Sequence, residues 1–315
     1  MNRGSRTPCL DDVYLSSTAY RLGAKKPLSD LDDPLVQDNL AALQQGGFRY
    51  CRVADGPASR LAAASSVDSL ASAGHPHVDL VVHATDTPSA EPTPSRDALA
   101  ILRAVSLPTT SPVLVGGSGC GNFAAALRTA RNALRAERLS TVLLVTSDCV
   151  VGGTRFETAG GIVMSDGAAS CLVTAAPIGP SFRVLGIGTH SQALEPSASP
   201  LLGVRALKAG INLARARLED ELPDARRGFR FLLTGNYAES TRKIFSAICG
   251  FDLTDTYAPR VAEIGHCFSA DLMIGLDGLA REGALAEGDR LLLLATSPHT
   301  WALVAVEYLE GHPSL

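Results

Sequence analysis

Pro112-Val-Leu-Val-Gly-Gly-Ser-Gly-Cys120-Gly-Asn-Phe-Ala-Ala-Ala-Leu-Arg-Thr-Ala-Arg-Asn-Ala-Leu134 reads as a short apolar strand that turns through glycines directly into a long amphipathic helix. A strand feeding a helix in this way is the unit of an α/β fold. It also places Cys120 at a helix N-terminus, where unsatisfied backbone N–H groups and the positive end of the macrodipole favour thiolate over thiol. The flanking glycines leave the backbone open to a close substrate. Free cysteine also packs well as a small core residue, but the strand-to-helix junction favours a nucleophile.

The same reading extends in both directions. Continuous apolar runs predict buried strands at Val78–Val82, Val113–Val115, Thr141–Thr146, Gly161–Met164, Cys171–Thr174, Phe231–Leu233, Arg290–Ala295 and Ala302–Tyr308. Between them, helical spacing predicts helices over Asn122–Arg138, Leu207–Glu221, Ser240–Ile248 and Ser269–Glu282, the last stopped by Gly283. Strands that are apolar throughout, rather than alternating, belong to sheets covered on both faces. Pro88–Ser95 and Ser191–Pro200 read as loops. Strand, turn and helix recur in similar order in both halves, the pattern of an internal duplication.

Composition narrows the function classes. A net charge of -4 and the lack of a long Lys/Arg stripe argue against a general nucleic-acid binder. No apolar run reaches the roughly 18 to 20 residues of a membrane span. Met1–Asp12 has no apolar segment of the kind found in signal peptides. The seven cysteines are irregularly spaced, with no CxxC pair. We therefore expect a reduced, cytoplasmic chain without a metal site or membrane contact.

Two glycine motifs near Cys120 invite other readings. Gly117-Ser-Gly119-Cys-Gly121, with Asp148 after the next strand as a ribose ligand, resembles a dinucleotide site, but the third glycine comes one position too early. A hydrolase nucleophile elbow centred on Ser118 would need glycine at position 120.

Four segments together resemble the thiolase-fold ketoacyl-ACP synthase III family, over about residues 13 to 309. Gly119-Cys120-Gly121-Asn122-Phe123 is similar to the family's Ala-Cys-x-Gly-Phe nucleophile segment. Met164-Ser-Asp166-Gly167-Ala168-Ala169-Ser170 is similar to its Phe-Gly-Asp-Gly-Ala-Gly-Ala. Glu263-Ile-Gly265-His266-Cys-Phe-Ser-Ala270-Asp271 stands in place of its Gly-Asn-Thr-x-Ala-Ala-Ser, and Ala295-Thr-Ser-Pro-His-Thr300-Trp301 in place of its glycine-rich loop. The resemblance implies an α/β thiolase fold of two duplicated halves, residues 1–175 carrying the nucleophile and 176–315 the other site residues, layered α-β-α-β-α. It also implies a homodimer, a covalent acyl-cysteine, and an acyl donor carried on acyl carrier protein or coenzyme A, with no permanently bound cofactor.

The family's Cys-His-Asn set takes its histidine from a Pro-His-Gln-Ala-Asn segment, where this chain has Thr234-Gly235-Asn236-Tyr237-Ala238-Glu239. His266 stands at the family's asparagine, so imidazole and amide are exchanged. Asp271 follows five residues later. This Gly-His-x-x-x-x-Asp pattern resembles a divergent branch of acyltransferases in antibiotic pathways that use Cys-His-Asp. On that resemblance Cys120 is the nucleophile, His266 the acid and base, Asp271 its orienter and Asn236 a polar donor near the thioester. The backbone N–H groups of Cys120 and Ser297 are the expected oxyanion donors. Arg205, Lys208, Arg242 and Lys243 are the expected rim for an acidic carrier protein. The implied function is acyl transfer to a hydroxyl, amine or thiol, on a small molecule or a carrier, in specialised metabolism. Decarboxylating condensation of the synthase III type and a silent partner subunit of a ketosynthase are the alternatives, with a dinucleotide-dependent oxidoreductase outside them.

Overall fold

A computed structural model describes residues 12–88, 95–158, 160–193, 200–225, 228–258 and 260–311. The expected loops at Pro88–Ser95 and Ser191–Pro200 lie largely outside the described residues, as does Cys9. No helix among the described residues is long and apolar enough to cross a membrane.

Ten strands form one hydrogen-bonded sheet. In chain order they are β1 (Tyr14–Leu22), β2 (Leu80–Ala84), β3 (Ser111–Val115), β4 (Thr141–Asp148), β5 (Gly167–Thr174), β6 (Ser181–Ser191), β7 (Phe229–Leu233), β8 (Thr256–Tyr257), β9 (Arg290–Thr296) and β10 (Thr300–Leu309). Their spatial order is β8-β7-β9-β10-β6-β1-β5-β4-β2-β3. Read outward from the centre, β1-β5-β4-β2-β3 and β6-β10-β9-β7-β8 are the same order offset by five. The directions repeat as well, because β2 is parallel to β3 and β4, as β7 is to β8 and β9. The halves join where β1 pairs antiparallel with β6 over Tyr14–Ser16.

Six helices cover these strands: α1 (Ala58–Ser72), α2 (Ser95–Ala104), α3 (Asn122–Glu137), α4 (Pro200–Glu221), α5 (Glu239–Cys249) and α6 (Asp271–Arg281). The apolar strands supply both faces in alternation. In β9, Leu291, Leu293 and Ala295 join the cluster that holds α3 and α6, whereas Leu292 and Leu294 join the one that holds α4 and α5. In β4, Val142 and Leu144 face α3, whereas Leu143 and Val145 face α1 and α2. The layers are therefore α1/α2, the β1–β5 half of the sheet, α3/α6, the β6–β10 half, and α4/α5, with α3 and α6 at the centre. Each of these two helices follows the third strand of its half, so their N-termini occupy equivalent positions.

One predicted strand falls elsewhere. Ile162–Val163 pairs with Phe156–Glu157 in a small separate hairpin rather than in the main sheet. Its neighbours Ser165 and Asp166 leave it to hold other loops.

Candidate active site

The nucleophile turn is stitched by the first residue of α3. Asn122 Oδ1 accepts the backbone N–H of Ser118 at 3.0 Å, and its Nδ2 donates to Asp86 Oδ1 at 2.9 Å. Cys120 is thereby held half-buried in a tight turn at the N-terminus of α3.

His266 arrives from the other half. Its backbone N–H donates to the Val163 carbonyl at 2.9 Å, and its carbonyl accepts the Ser165 N–H at 2.8 Å. Gly265, just before it, has φ 75° and ψ -167°, a conformation open essentially to glycine alone. A Cβ there would also lie 2.5 Å from Ser165 Oγ. The segment Met164–Asp166 is thus the shelf on which His266 sits. It is anchored by Asp166, whose carboxylate pairs with Arg155 at 2.9 Å and accepts the N–H groups of Ala54 and Val150.

The two half-sites meet at the helix N-termini. Cys120 Sγ is 3.0 Å from His266 Nε2, and His266 Nδ1 is 2.6 Å from Asp271 Oδ2. His266 and Asp271 are both buried. The Asp271 carboxylate also accepts the N–H of Asn236 at 2.7 Å and of Cys267 at 3.0 Å. Burial alone pulls the His266 pKa down, but the negative charges of Cys120 and Asp271, and hydrogen bonds to both, outweigh it and raise it to about 10. The site therefore favours the protonated imidazole.

The structure brings Cys120, His266 and Asp271 together. The Asn236 amide, expected as a donor near the thioester, is engaged behind them. Its Nδ2 donates to the Gly265 carbonyl at 2.7 Å and lies 3.4 Å from Asp271 Oδ1, so it braces the carboxylate instead. Ser297 is not a free oxyanion donor either, because the tight β9–β10 turn commits its N–H to the Thr300 carbonyl at 2.8 Å. His299, on the same turn, contacts the Gly117 carbonyl at 3.1 Å. Asp148 is enclosed rather than presented to a ligand, with Oδ1 accepting from the backbone N–H groups of Asp86 and Thr87 and from the hydroxyls of Thr85 and Thr87.

Of the four expected rim cations, Arg205 and Lys208 are exposed on α4. Lys243 pairs with Glu239 at 2.6 Å, and half-buried Arg242 donates to the Tyr237 carbonyl at 3.2 Å.

Tyr237 is the site residue that sequence reasoning missed. Its ring centroid lies 4.8 Å from that of His266 and 5.1 Å, edge-on, from that of Phe245. Its hydroxyl donates to the Thr296 carbonyl at 3.2 Å. Burial first, then the charges of Cys120 and Asp271, raise its pKa well above the usual phenol value, so it remains an O–H donor. Its position just past the C-terminal end of the parallel strand β7 was the available signal, since ligand-facing residues of α/β sheets gather there.

No protein-family model and no curated protein sequence matches the chain. Solved structures do. The chain is similar to the acyltransferase ChlB3, with TM-score 0.77 and 20% identity over 95% of this chain and 98% of that one. It is similar to 3-oxoacyl-(acyl carrier protein) synthase III, FabH, of Pseudomonas aeruginosa PAO1, with TM-score 0.75 and 18% identity over 96% and 99%. Xanthomonas campestris OleA, solved as a single-residue variant, gives TM-score 0.75 and 16% identity over 94% and 98%. The chain has the thiolase fold.

Proposed function

We propose that this chain is an acyltransferase that accepts an acyl group from a carrier-protein or coenzyme A thioester on Cys120 and passes it to a hydroxyl, amine or thiol. The observation that carries the reading is the line from half-buried Cys120 Sγ through buried His266 to buried Asp271, with steps of 3.0 and 2.6 Å. In the first half-reaction the Cys120 thiolate attacks the donor carbonyl carbon. The carbonyl π pair moves to oxygen, and collapse expels the donor thiolate, which takes the proton from His266 Nε2. Acylation removes the negative charge at Cys120, one of the two charges that raise the His266 pKa. The imidazole that has just given up its proton therefore stays neutral, and so available to accept one, when the acceptor must lose its proton. In the second half-reaction His266 takes that proton, the acceptor forms its bond to the acyl carbon, and the Cys120 thiolate leaves.

Decarboxylating condensation calls on two neutral hydrogen-bond donors for the enolate oxygen. Here the imidazole is paired with a carboxylate, and the Asn236 amide is committed to Gly265 and Asp271. This favours transfer to a heteroatom. The intact Cys-His-Asp line also weighs against a silent partner subunit. We further read the active form as a homodimer in the cytoplasm; for the dimer, β3 ends the sheet with Leu114 46% exposed. Such an edge is suited to pairing with a second copy. Exposed Arg205 and Lys208 would meet the acidic face of a carrier protein.

Intact-mass analysis after incubation with acyl-carrier-protein and acyl-coenzyme A thioesters tests the reading. The adduct should map to Cys120, vanish in Cys120→Ala, and form from malonyl donors without release of carbon dioxide. An adduct on another residue, or Cys120-dependent decarboxylation, would overturn it.

A further inference from the structure

We infer that Asp86 is a positioning residue of this site, and that its carboxylate, acting through the Asn122 amide, sets the turn that carries Cys120. The inference rests on the acyl-transfer reading above. Asp86 lies shortly beyond the C-terminal end of β2, and Asn122 opens α3. Asn122 Nδ2 donates to Asp86 Oδ1 at 2.9 Å, while Asn122 Oδ1 accepts the Ser118 N–H at 3.0 Å. A carboxylate can only accept, so it fixes which end of the amide faces Ser118. Turned over, the amide would set its NH₂ against the Ser118 N–H, donor against donor, and the turn would lose that bond. The second Asp86 oxygen, Oδ2, lies 3.5 Å from where a Cβ on Gly119 would stand. The carboxylate thus lies against the turn that it fixes.

Asp86 does not depend on the turn for its own place. Asp148, buried at the end of β4, accepts on Oδ1 the Asp86 N–H at 2.7 Å, the Thr87 N–H at 3.1 Å, and the hydroxyls of Thr85 and Thr87, each at 3.1 Å. The sheet therefore holds Asp86, and Asp86 holds Asn122. Within the turn the Gly121 N–H donates to the Ser118 carbonyl at 2.9 Å, and the Asn122 N–H to the Gly119 carbonyl. Bonds on either side of Cys120 thus aim both its thiol and its N–H, the expected oxyanion donor, and small misplacements of such groups cost rate. In the segment similar to Ala-Cys-x-Gly-Phe, Asn122 stands where that motif has glycine. Glycine has no side chain to offer a carboxylate.

The test reverses the pair. Asn122→Asp sets two carboxylates face to face, whereas Asp86→Asn combined with Asn122→Asp restores one donor and one acceptor with their places exchanged. The probe is the thioester that labels wild type fastest in the intact-mass experiment. With it, Asn122→Asp should lower the saturating rate of Cys120 acylation by about tenfold or more and leave the half-saturating concentration essentially unchanged. The double variant should recover most of the loss. The loss in Asn122→Asp should persist at a pH where iodoacetamide alkylation of Cys120 has reached its plateau in each variant, because it is a loss of aim and not of thiolate. Asp86→Ala, at an exposed position, should show the same split and provides the folded comparison if Asn122→Asp is unstable. A wild-type rate in Asn122→Asp or in Asp86→Ala would overturn the inference, as would a double variant no faster than Asn122→Asp, or a loss that vanishes on the alkylation plateau. If wild type itself forms no acyl adduct while alkylating normally, the acyl-transfer reading falls and takes this inference with it.

Discussion

The Asp271 carboxylate lies 2.6 Å from His266 Nδ1 and is fixed by two backbone N–H groups, from Asn236 and Cys267, at 2.7 and 3.0 Å. A buried anion held this way is paired and hydrogen-bonded, the condition under which burial of charge is tolerated. Its orientation is set before any substrate arrives. Asp271→Asn would point an amide NH₂ at groups that are themselves donors. We expect acyl transfer to fall by about 10² to 10⁴, with stability lower by about 1 to 3 kcal/mol from the mismatched buried donors. Single-turnover transfer and denaturant unfolding measure the two effects separately.

The raised His266 pKa makes stability fall with pH. Below the ordinary imidazole value of 6.5 the ring is protonated folded or unfolded, so its pairing contributes in full. Between 6.5 and about 10 the folded chain keeps a proton that the unfolded chain releases, and the contribution is lost progressively. Unfolding free energy measured across this window should decline more steeply in wild type than in His266→Gln. Cys120→Ala, which removes one of the two charges that raise the pKa, should end the decline at lower pH.

Gly235 sits where three site residues converge. A methyl group there would meet Asp271, Tyr237 and His266 at 3.0 to 3.1 Å, so each must give by a few tenths of an ångström. Gly235→Ala should lower turnover by about tenfold or more, because small misplacements of reacting groups are costly. The melting temperature should change little by comparison.

Gly188 in β6 provides a corresponding test of the fold. A Cβ there would lie 2.0 Å from the Ala214 carbonyl oxygen and 2.5 Å from the Leu218 backbone nitrogen. Neither atom can yield without shifting α4. Gly188→Ala should therefore destabilise by about 3 kcal/mol or more, seen as a lower denaturant midpoint in a variant whose site residues are untouched.

The same glycine shows why part of the fold escaped the sequence. Strands such as β4 and β9 are apolar along their whole length and declare themselves, as do the helices that begin at Asn122 and near Asp271. The two strands that join the halves do not. β6 carries Gly186 and Gly188 so that α4 can approach its backbone, which dilutes its β signal. β1 carries Ser16, whose hydroxyl is buried 3.1 Å from that of Ser181, so a polar residue occupies a core position. In α1, Ser66 and Ser69 are likewise buried, with hydroxyls bonded to the Ala62 carbonyl and to Ser170, and blur its apolar face. At the site, Cys120 was readable from its strand-to-helix junction, and His266 and Asp271 from segments that resemble a family's motifs. The roles of Asn236 and Ser297 depended on what their donors already bind, and no local pattern records that.

His266 separates the two half-reactions. With Nε2 at 3.0 Å from Cys120 Sγ it supports the thiolate, but the helix-tip position of Cys120 supports it independently. Proton removal from the acceptor has no such second source. His266→Ala should therefore slow acyl transfer from Cys120 to acceptor by about 10² to 10⁴, and slow acylation of Cys120 less. Truncation of this buried ring also leaves a space beside Tyr237 and an Asp271 without its imidazole partner, so loosened packing adds to the loss. Two controls isolate the chemistry. His266→Gln keeps most of the volume without a base and should match the Ala variant in transfer while melting closer to wild type. Imidazole added to His266→Ala should restore transfer in proportion to its unprotonated fraction, following pH through the imidazole titration. Equal slowing of both half-reactions, with no rescue, would assign His266 to positioning Cys120 and leave the base to be sought elsewhere.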